Sequence, residues 1–144
     1  MDLERIFSLC SFLALTGWMA LVAAPLSRAP LIRAARIMSG ALALAYVIQL
    51  FTITQPVQGG SFSTLAGVSA LFSMPGNVML GWTHFLAFDL FTGAWEVEDA
   101  GRIGIPHWAV IVPLVLTFLL GPIGLLTYAT IRTAHLLRTT GRMF

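Results

Sequence analysis

The sequence contains little charge, no lysine and a single cysteine. Only 10% of its 144 residues are charged, 58% are hydrophobic, and all eight basic residues are arginines. A soluble domain of this length would have too little polar material to cover its water-facing surface. The net charge of +2 is spread along the chain and provides no basic stripe for nucleic acid. Cys10 alone cannot form an internal disulfide or a thiolate metal site.

Four long apolar runs dominate the rest of the chain. They cover residues 7–24, 37–54, 75–95 and 108–131, and the first, second and fourth contain no charged residue. About 20 apolar residues cross the hydrocarbon core of a bilayer as a helix. The sequence therefore predicts an all-α fold in which residues 1–144 form one domain of four transmembrane helices. The first run also resembles a signal peptide, but the acidic balance of residues 1–5 argues against cleavage.

The connections between the runs differ in charge. Residues 25–36 contain three arginines, residues 55–74 contain no charge, and residues 96–105 contain the acidic patch. Within the uncharged connection, Ser61 or Ser63 is a candidate cap for a short interfacial helix over residues 61–73. Four spans would place both termini on one side of the membrane. The arginines would then divide equally between the two sides, so the positive-inside rule would not orient the protein.

The third run differs from the others because it contains His84 and Asp89 near its middle. An ionised carboxylate at the bilayer centre costs on the order of 3 kcal/mol or more, a cost that a partner inside the bundle normally offsets. Such a residue is a functional candidate. Together a buried carboxyl and a histidine supply a proton donor and a proton acceptor.

Helical geometry separates these two residues. At about 100° per residue, His84 lies about 140° around the helix from Asp89, so a direct hydrogen bond between them is not expected. Asp89 shares its face with Trp82, Phe85, Gly93 and Glu96, whereas His84 shares its face with Asn77, Phe88, Phe91 and Trp95.

Structural roles are the alternative for the same residues. Asp89 would then bond to Gln49, Tyr46 or a helix backbone, and His84 would similarly hold helices together. His107, after Gly104-Ile105-Pro106, would be an interfacial histidine paired with Glu96 or Asp99. A divalent metal bound by Asp89, Glu96, Asp99 and His107 is a further alternative, but the spacing fits no known ligand pattern. We therefore predict no cofactor.

The fourth run contains Gly121-Pro122-Ile123-Gly124, which permits a kink and close helix approach. Small residues at this point indicate either helix packing or room for a ligand.

Several of these motifs together resemble a known family. They are Trp82 to Trp95 with its histidine and aspartate, then Asp99, then Gly104-Ile105-Pro106-His107, then Leu116 to Leu125. In this combination the chain resembles the plant abscisic-acid-deficient family of four-helix membrane proteins linked to neoxanthin synthesis, and it looks like a bacterial relative. The similarity covers most of the chain and is densest over residues 71–128.

The resemblance implies a membrane-dissolved carotenoid or isoprenoid substrate and acid/base chemistry without a redox cofactor. It favours His84, Asp89, Asp99 and His107 as catalytic candidates. The candidate substrate-binding residues are Asn77, Trp82, Phe88, Gly93 and Trp95. The expected location is a bacterial inner membrane, crossed several times, with membrane lipids as partners and a homo-oligomer or larger complex possible.

Two other functions remain open at this stage. A non-catalytic subunit that binds a carotenoid or braces a membrane complex would use the same polar residues for helix packing. A proton-coupled carrier is also compatible with a buried aspartate, although four short helices without a repeat argue against it.

Overall fold

The structure is a computed structural model that describes residues 2–140, and within that range it contains helices and no strands. The six α-helices are α1 (Leu3–Val22), α2 (Arg28–Thr52), α3 (Leu65–Leu71), α4 (Pro75–Ile103), α5 (Trp108–Leu120) and α6 (Pro122–Thr140). A single 3₁₀ turn, Ala24–Leu26, connects α1 to α2. The prediction of an all-α fold is confirmed.

Local sequence signals define several helix ends. The Asp2 side chain accepts a hydrogen bond from the backbone N–H of Glu4 and so caps α1. Pro75 occupies the first turn of α4, and Gly104 ends that helix in the left-handed conformation with φ of 83°. Thr64, rather than either predicted serine, caps α3 through the N–H of Gly67. Helix α3 lies within the predicted interfacial segment 61–73.

Helix α4 is the central element and packs against α1, α2, α5 and α6. Helix α1 runs parallel to it: the indole of Trp82 bonds to Ser11 in the middle of α1, and Trp18 packs on Gly93 further along both helices. Helix α2 runs in the opposite direction: Arg28 at its start donates to the carbonyl of Val97, and Ser39 further along donates to the carbonyl of Ala87. These three helices form the main layer of the bundle, and their contact faces supply most of the buried apolar side chains.

The predicted fourth span is divided into two helices that double back on each other. Helix α5 has 13 residues, which is about 20 Å of helix and too short to cross a bilayer. The chain reverses at Gly121, whose φ is 40°, and Gly124 then approaches the backbone of Thr117 so closely that an added Cβ would overlap it. We call α5 and α6 together the α5–α6 hairpin.

The α5–α6 hairpin enters and leaves the bundle at the same end. Its tip, Gly121, lies beside Asp89 near the middle of α4. Helix α6 then returns along α4, because its Tyr128 bonds to Asp99 and its His135 bonds to the carbonyl of Ile103. The described end of α6 therefore lies at the C-terminal end of α4, opposite the start of α1. This differs from the expectation that both ends of the chain share one side.

Two helices, α1 and α2, are long and apolar enough to cross a membrane. Helix α4 is longer, at 29 residues, but its second half contains three acidic residues, Glu96, Glu98 and Asp99. A bundle of four membrane-crossing helices is therefore not confirmed.

Candidate functional site

A cavity of about 630 Å³ lies beside Asp89, where α1, α4 and the tip of the α5–α6 hairpin meet. We call it the Asp89 cavity. Apart from Asp89 and Ser11, its lining is apolar and aromatic: Ala14, Leu15, Trp82, Phe85, Leu86 and residues 118–122. A volume of this size suits a small organic group held by apolar walls with a few polar contacts.

Asp89 makes no hydrogen bond to any side chain or backbone group of residues 2–140. The partner expected for a structural role, Gln49, is buried and used elsewhere: its amide oxygen accepts from Thr83 at 2.9 Å and its nitrogen lies 3.7 Å from the sulfur of Cys10. Tyr46, the other expected partner, packs its ring against His84. The half-buried carboxylate is therefore left to face the cavity.

The absence of a side chain at Gly121 leaves room for the Asp89 carboxylate. A Cβ at this position would lie 3.0 Å from Oδ1 of Asp89, so the hairpin tip approaches the carboxylate as closely as backbone allows. The sequence marked the Gly-Pro step as a kink, but it gave no indication that the tip would meet Asp89.

Trp82, a predicted substrate-binding residue, forms one wall of the Asp89 cavity. Its indole N–H donates to the hydroxyl of Ser11 at 3.2 Å, and its ring stacks on Phe7 with centroids 5.6 Å apart. Both contacts fix the indole plane. Ser11 is a site residue that the sequence did not single out, because a lone serine in an apolar run has no distinguishing pattern.

His84 lines a different cavity of about 500 Å³ between α2, α3 and α4. We call it the His84 cavity. Its ring lies 4.7 Å from the ring of Phe88 and 5.8 Å from that of Tyr46, measured between centroids. The other lining residues are Leu50, Thr54, Gln55, Phe62, Leu71, Phe72, Asn77, Leu80, Gly81 and Phe85.

The two cavities are neighbours separated by one side chain. Phe85 lines both of them. From helix geometry the Cα atoms of His84 and Asp89 are about 9 Å apart. The structure thus places the two residues at adjacent openings, and it does not bring them into direct contact.

Asn77 closes one end of the His84 cavity. Its amide donates to the carbonyls of Leu71 and Gln55 and accepts from the N–H of Gln55. These bonds tie α3 and the end of the uncharged connection to the start of α4. Asn77 therefore positions the segment over this cavity, and all of its amide groups are engaged in doing so.

Asp99 and Glu96 lie in a separate polar cluster between α4 and the α5–α6 hairpin. Oδ2 of Asp99 accepts from the hydroxyl of Tyr128 at 2.6 Å and from Nε of Arg132 at 2.7 Å. Glu96 is fully buried, and its Oε1 accepts from Thr117 at 2.8 Å. Its Oε2 has no hydrogen-bond partner among residues 2–140. These contacts hold the hairpin against α4.

Trp95 and Gly93 serve the packing around that cluster. The Trp95 ring meets the Tyr128 ring edge-on at 5.3 Å. A Cβ on Gly93 would lie 2.6 Å from the Trp18 ring, so glycine is needed for α1 to approach α4. Neither residue lines the Asp89 cavity or the His84 cavity.

His107 lies in the connection between α4 and α5, away from both cavities. Its Nε2–H donates to the carbonyl of Val22 at 3.2 Å, and its Nδ1 is buried without a partner in the described part of the chain. Burial lowers the pKa of His107 below its ordinary value; the hydrogen bond to Val22 opposes that shift, and the charge of Arg28 adds to it. The ring joins α1 to α5, and neither acidic residue suggested by the sequence is its partner.

Among residues 2–140, no three histidine, cysteine, aspartate or glutamate side chains are grouped closely enough to hold a metal ion. The chemistry available at the Asp89 cavity is therefore that of a carboxylate, a hydroxyl and an indole N–H surrounded by apolar walls.

The fold and the two cavities define a class of protein: an all-α bundle of apolar helices with isolated acid/base groups facing apolar cavities. The chain belongs to the ABA DEFICIENT 4-like family, whose model matches residues 5–128. No curated protein and no solved structure matches the chain.

Proposed function

We propose that this protein is a multi-pass membrane enzyme that isomerises a carotenoid or related isoprenoid, with Asp89 as the residue that transfers protons. The family assignment supports a role of the neoxanthin synthase type in a broad sense. The observation that carries the proposal is the carboxylate of Asp89, which faces an apolar cavity and has no hydrogen-bond partner among the described residues.

Membrane insertion is supported by where the apolar side chains lie. Helices α1 and α2 are long and apolar enough to cross a bilayer, and large side chains such as Phe12, Leu44 and Phe51 are exposed on them. Exposed apolar surface on this scale is unfavourable in water and favourable against lipid tails. In this arrangement α1, α2 and α4 cross the bilayer, and the α5–α6 hairpin enters it from one side and returns.

The hairpin has a specific consequence for the site. Non-helical backbone is tolerated at membrane depth only where protein buries it or where it lines a cavity. The reversal at Gly121 lines the Asp89 cavity, and the lining apolar residues of α1 and α5 give a lipid-soluble molecule an apolar path to the carboxylate.

The proposed reaction is the opening of an epoxide to an allenic alcohol. A base removes a proton from a vinylic carbon, and the electron pair of that carbon–hydrogen bond forms the new double bond. The carbon–oxygen bond of the epoxide breaks at the same time, and an acid protonates the oxygen. Atoms and electrons balance without an oxidant or a reductant. One base and one acid are sufficient, and each typically contributes 10²–10⁴-fold to the rate.

We assign the removal of the carbon-bound proton to Asp89, because an acceptor with no competing hydrogen bond is the stronger base toward a bound substrate. The second group is His84, which an end group extending past Phe85 would reach from the adjacent cavity. Asp99 and His107, also predicted as catalytic from the family resemblance, have no place in this assignment, because neither residue lines the Asp89 cavity or the His84 cavity.

The test is expression of the protein in cells that accumulate epoxidised carotenoids, followed by chromatography of the extracted pigments. Asp89→Asn removes the base with little change in volume, and we expect product to fall by about 10²-fold or more. Glu98→Gln, on the same helix but outside both cavities, is the matched control and should retain turnover. Product formation by Asp89→Asn at the wild-type rate would eliminate the assignment.

Binding without chemistry is the second candidate function. It is favoured by the His84 cavity, to whose wall Tyr46, Phe62, Phe72 and Phe85 contribute aromatic rings. A binding protein would copurify with a pigment of unaltered structure, and Asp89→Asn would leave that pigment bound. An isomerase would show a changed pigment in the wild type only.

A further inference from the structure

We propose that a cavity lined by arginines at one end of the bundle binds the phosphate of an anionic phospholipid. The cavity measures about 440 Å³ and lies between the start of α2 and the end of α4. We call it the arginine cavity. Its lining consists of Arg28, Ala29, Ile32, Arg33, Arg36, Glu98, Gly101 and Arg102. The inference requires insertion in a membrane, but it does not depend on the isomerase chemistry.

Arg28 is held in place at the edge of this cavity. Its Nη2 donates to the carbonyl of Val97 at 2.7 Å. Gly101 lies directly against the guanidinium, and a Cβ added there would overlap it. A glycine at this point of α4 thus provides the space in which the Arg28 side chain packs, so that one positive group is preorganised before any ligand binds.

The charges around the cavity are unbalanced. Glu98 is the only acidic residue in the lining; it pairs with Arg36, and its other oxygen lies 4.0 Å from Nη2 of Arg102. Arg33 forms no ion pair with any residue in the range 2–140. Four guanidinium groups facing one carboxylate leave an excess of positive charge, and guanidinium groups bind phosphate oxygens in a bidentate geometry.

The start of α2 adds further donors. Ser27 precedes the helix, but its side chain makes no capping hydrogen bond. The backbone N–H groups of Arg28 and Ala29 therefore have no side-chain acceptor, whereas Pro30 has no N–H, and unpaired N–H groups at a helix start favour an anion. The arginines of the cavity and these N–H groups both favour a negative ligand at the start of α2.

The position of the cavity indicates a lipid rather than a dissolved ion as the source of the phosphate. Leu26 and Ile37 are close in the chain to the cavity-lining residues of α2, and Trp108 follows His107, on which the charge of Arg28 acts. Their exposed fractions are 86%, 66% and 75%. Exposed leucine, isoleucine and tryptophan beside arginines are typical of the boundary between acyl chains and headgroups. A phospholipid bound there would place its phosphate among the arginines and its chains along the apolar side of α2.

Native mass spectrometry of the full-length protein tests this proposal. The protein in detergent is mixed with equal amounts of dioleoylphosphatidylglycerol and dioleoylphosphatidylcholine, and the retained lipids are counted. We expect the wild type to retain more phosphatidylglycerol than phosphatidylcholine. The double variant Arg33→Gln and Arg102→Gln should reduce that retention about tenfold or more, because each arginine near an anionic surface contributes roughly fivefold.

The matched control is the double variant Arg5→Gln and Arg138→Gln, which removes two exposed arginines outside the cavity. It should retain phosphatidylglycerol like the wild type. Equal losses in both double variants would mean non-specific attraction, and unchanged retention in the cavity variant would mean no site; either result overturns the proposal. Displacement of the lipid by an excess of inorganic phosphate would overturn the choice of a lipid.

Folding is checked by the helical circular dichroism of each variant. If the cavity double variant does not fold, Arg33→Gln alone serves, since Arg33 has no ion pair within residues 2–140 to lose. Carotenoid turnover measured on the same samples separates the two proposals, because loss of lipid retention with normal turnover affects only the lipid site.

Discussion

The carboxylates of α4 lie on one helix but differ in their surroundings. Asp89 faces an apolar cavity, Glu96 is fully buried against Thr117, and Asp99 accepts two hydrogen bonds from α6. Hydrogen bonds to a charged acceptor are stronger than neutral ones, and removal of one leaves a buried group without its partner. At the residue scale, two of the four carboxylates of α4 attach the hairpin, Glu98 pairs with Arg36 of α2, and Asp89 faces a cavity without a hydrogen-bond partner among residues 2–140.

Tyr128→Phe tests the attachment of the hairpin. The change removes a hydrogen bond to Asp99 while keeping the ring that packs against Trp95. We expect the free energy of unfolding to fall by about 1.5–3 kcal/mol, measured by denaturation in detergent. Tyr46→Phe is the control, because the Tyr46 hydroxyl makes no hydrogen bond within residues 2–140, and its stability should equal that of the wild type. Equal stability of Tyr128→Phe would show that the hydrogen bond from Tyr128 to Asp99 does not stabilise the hairpin.

His107 gives the protein a pH-dependent contribution to stability. Because its pKa is lower in the folded protein than in the unfolded chain, the folded state binds fewer protons. Its contribution is therefore complete above the unfolded pKa of about 6.5 and is lost as the pH falls from there through the folded pKa. We expect the Tm of the wild type to fall between about pH 7.5 and about pH 5, a range that lies on both sides of that pKa.

His107→Gln isolates this effect, since glutamine can still donate to the carbonyl of Val22 but does not titrate. The decline should be smaller in His107→Gln than in the wild type. An identical decline in His107→Gln would assign the pH dependence to other groups.

At the scale of the elements, the α5–α6 hairpin is held by contacts between small residues and backbone. Gly124 packs on Thr117, whose hydroxyl in turn reaches Glu96. A side chain at residue 124 would separate α5 from α6 and move Gly121 away from Asp89. The geometry of the Asp89 cavity therefore depends on a glycine that does not line it.

Gly124→Ala should lower the free energy of unfolding by about 1–3 kcal/mol, the usual cost of overpacking. Gly40→Ala is the matched control: Gly40 lies inside α2 with nothing within 4 Å of an added Cβ. Alanine there should be neutral or stabilising by about 1 kcal/mol, because alanine favours a helix over glycine. Both are measured by denaturation in detergent. Equal stability of the two variants would contradict the close packing of the hairpin.

At the scale of the whole molecule, the hairpin changes the distribution of charge between the two ends. With α6 returning to the C-terminal end of α4, that end holds Arg28, Arg33, Arg36, Arg102, Arg132 and Arg138, six of the seven arginines in residues 2–140. Only Arg5 lies at the other end. For the membrane-inserted arrangement proposed above, the positive-inside rule, which gave a tie for four spans, predicts that the arginine-rich end faces the cytoplasm.

Reporter fusions test this orientation. Green fluorescent protein fused after residue 144 should fluoresce, because it folds in the cytoplasm, and alkaline phosphatase fused there should be inactive. A cysteine introduced near residue 58, in the connection at the opposite end, should react with an impermeant thiol reagent added to intact cells. Cys10→Ala serves as the background. Labelling of residue 58 only after lysis would reverse the orientation.

The sequence by itself determined the all-α class, the position of α1, the start of α4 and the separation of His84 from Asp89, because hydrophobic runs and the helical period are local properties. It did not indicate that α4 continues eight residues beyond residue 95, because the apolar run stops where the acidic residues begin. The sequence also indicated the family, through motifs that span most of the chain.

Only the tertiary structure decided the rest. It divided residues 108–131 into two helices, brought Gly121 to Asp89, paired Asp99 with Tyr128 and Arg132, and collected the arginines at one end. A Gly-Pro step in an apolar run is equally compatible with a kinked span and with a reversal. The contacts of α6 with α4 select the reversal, and these contacts join residues about thirty positions apart in the chain.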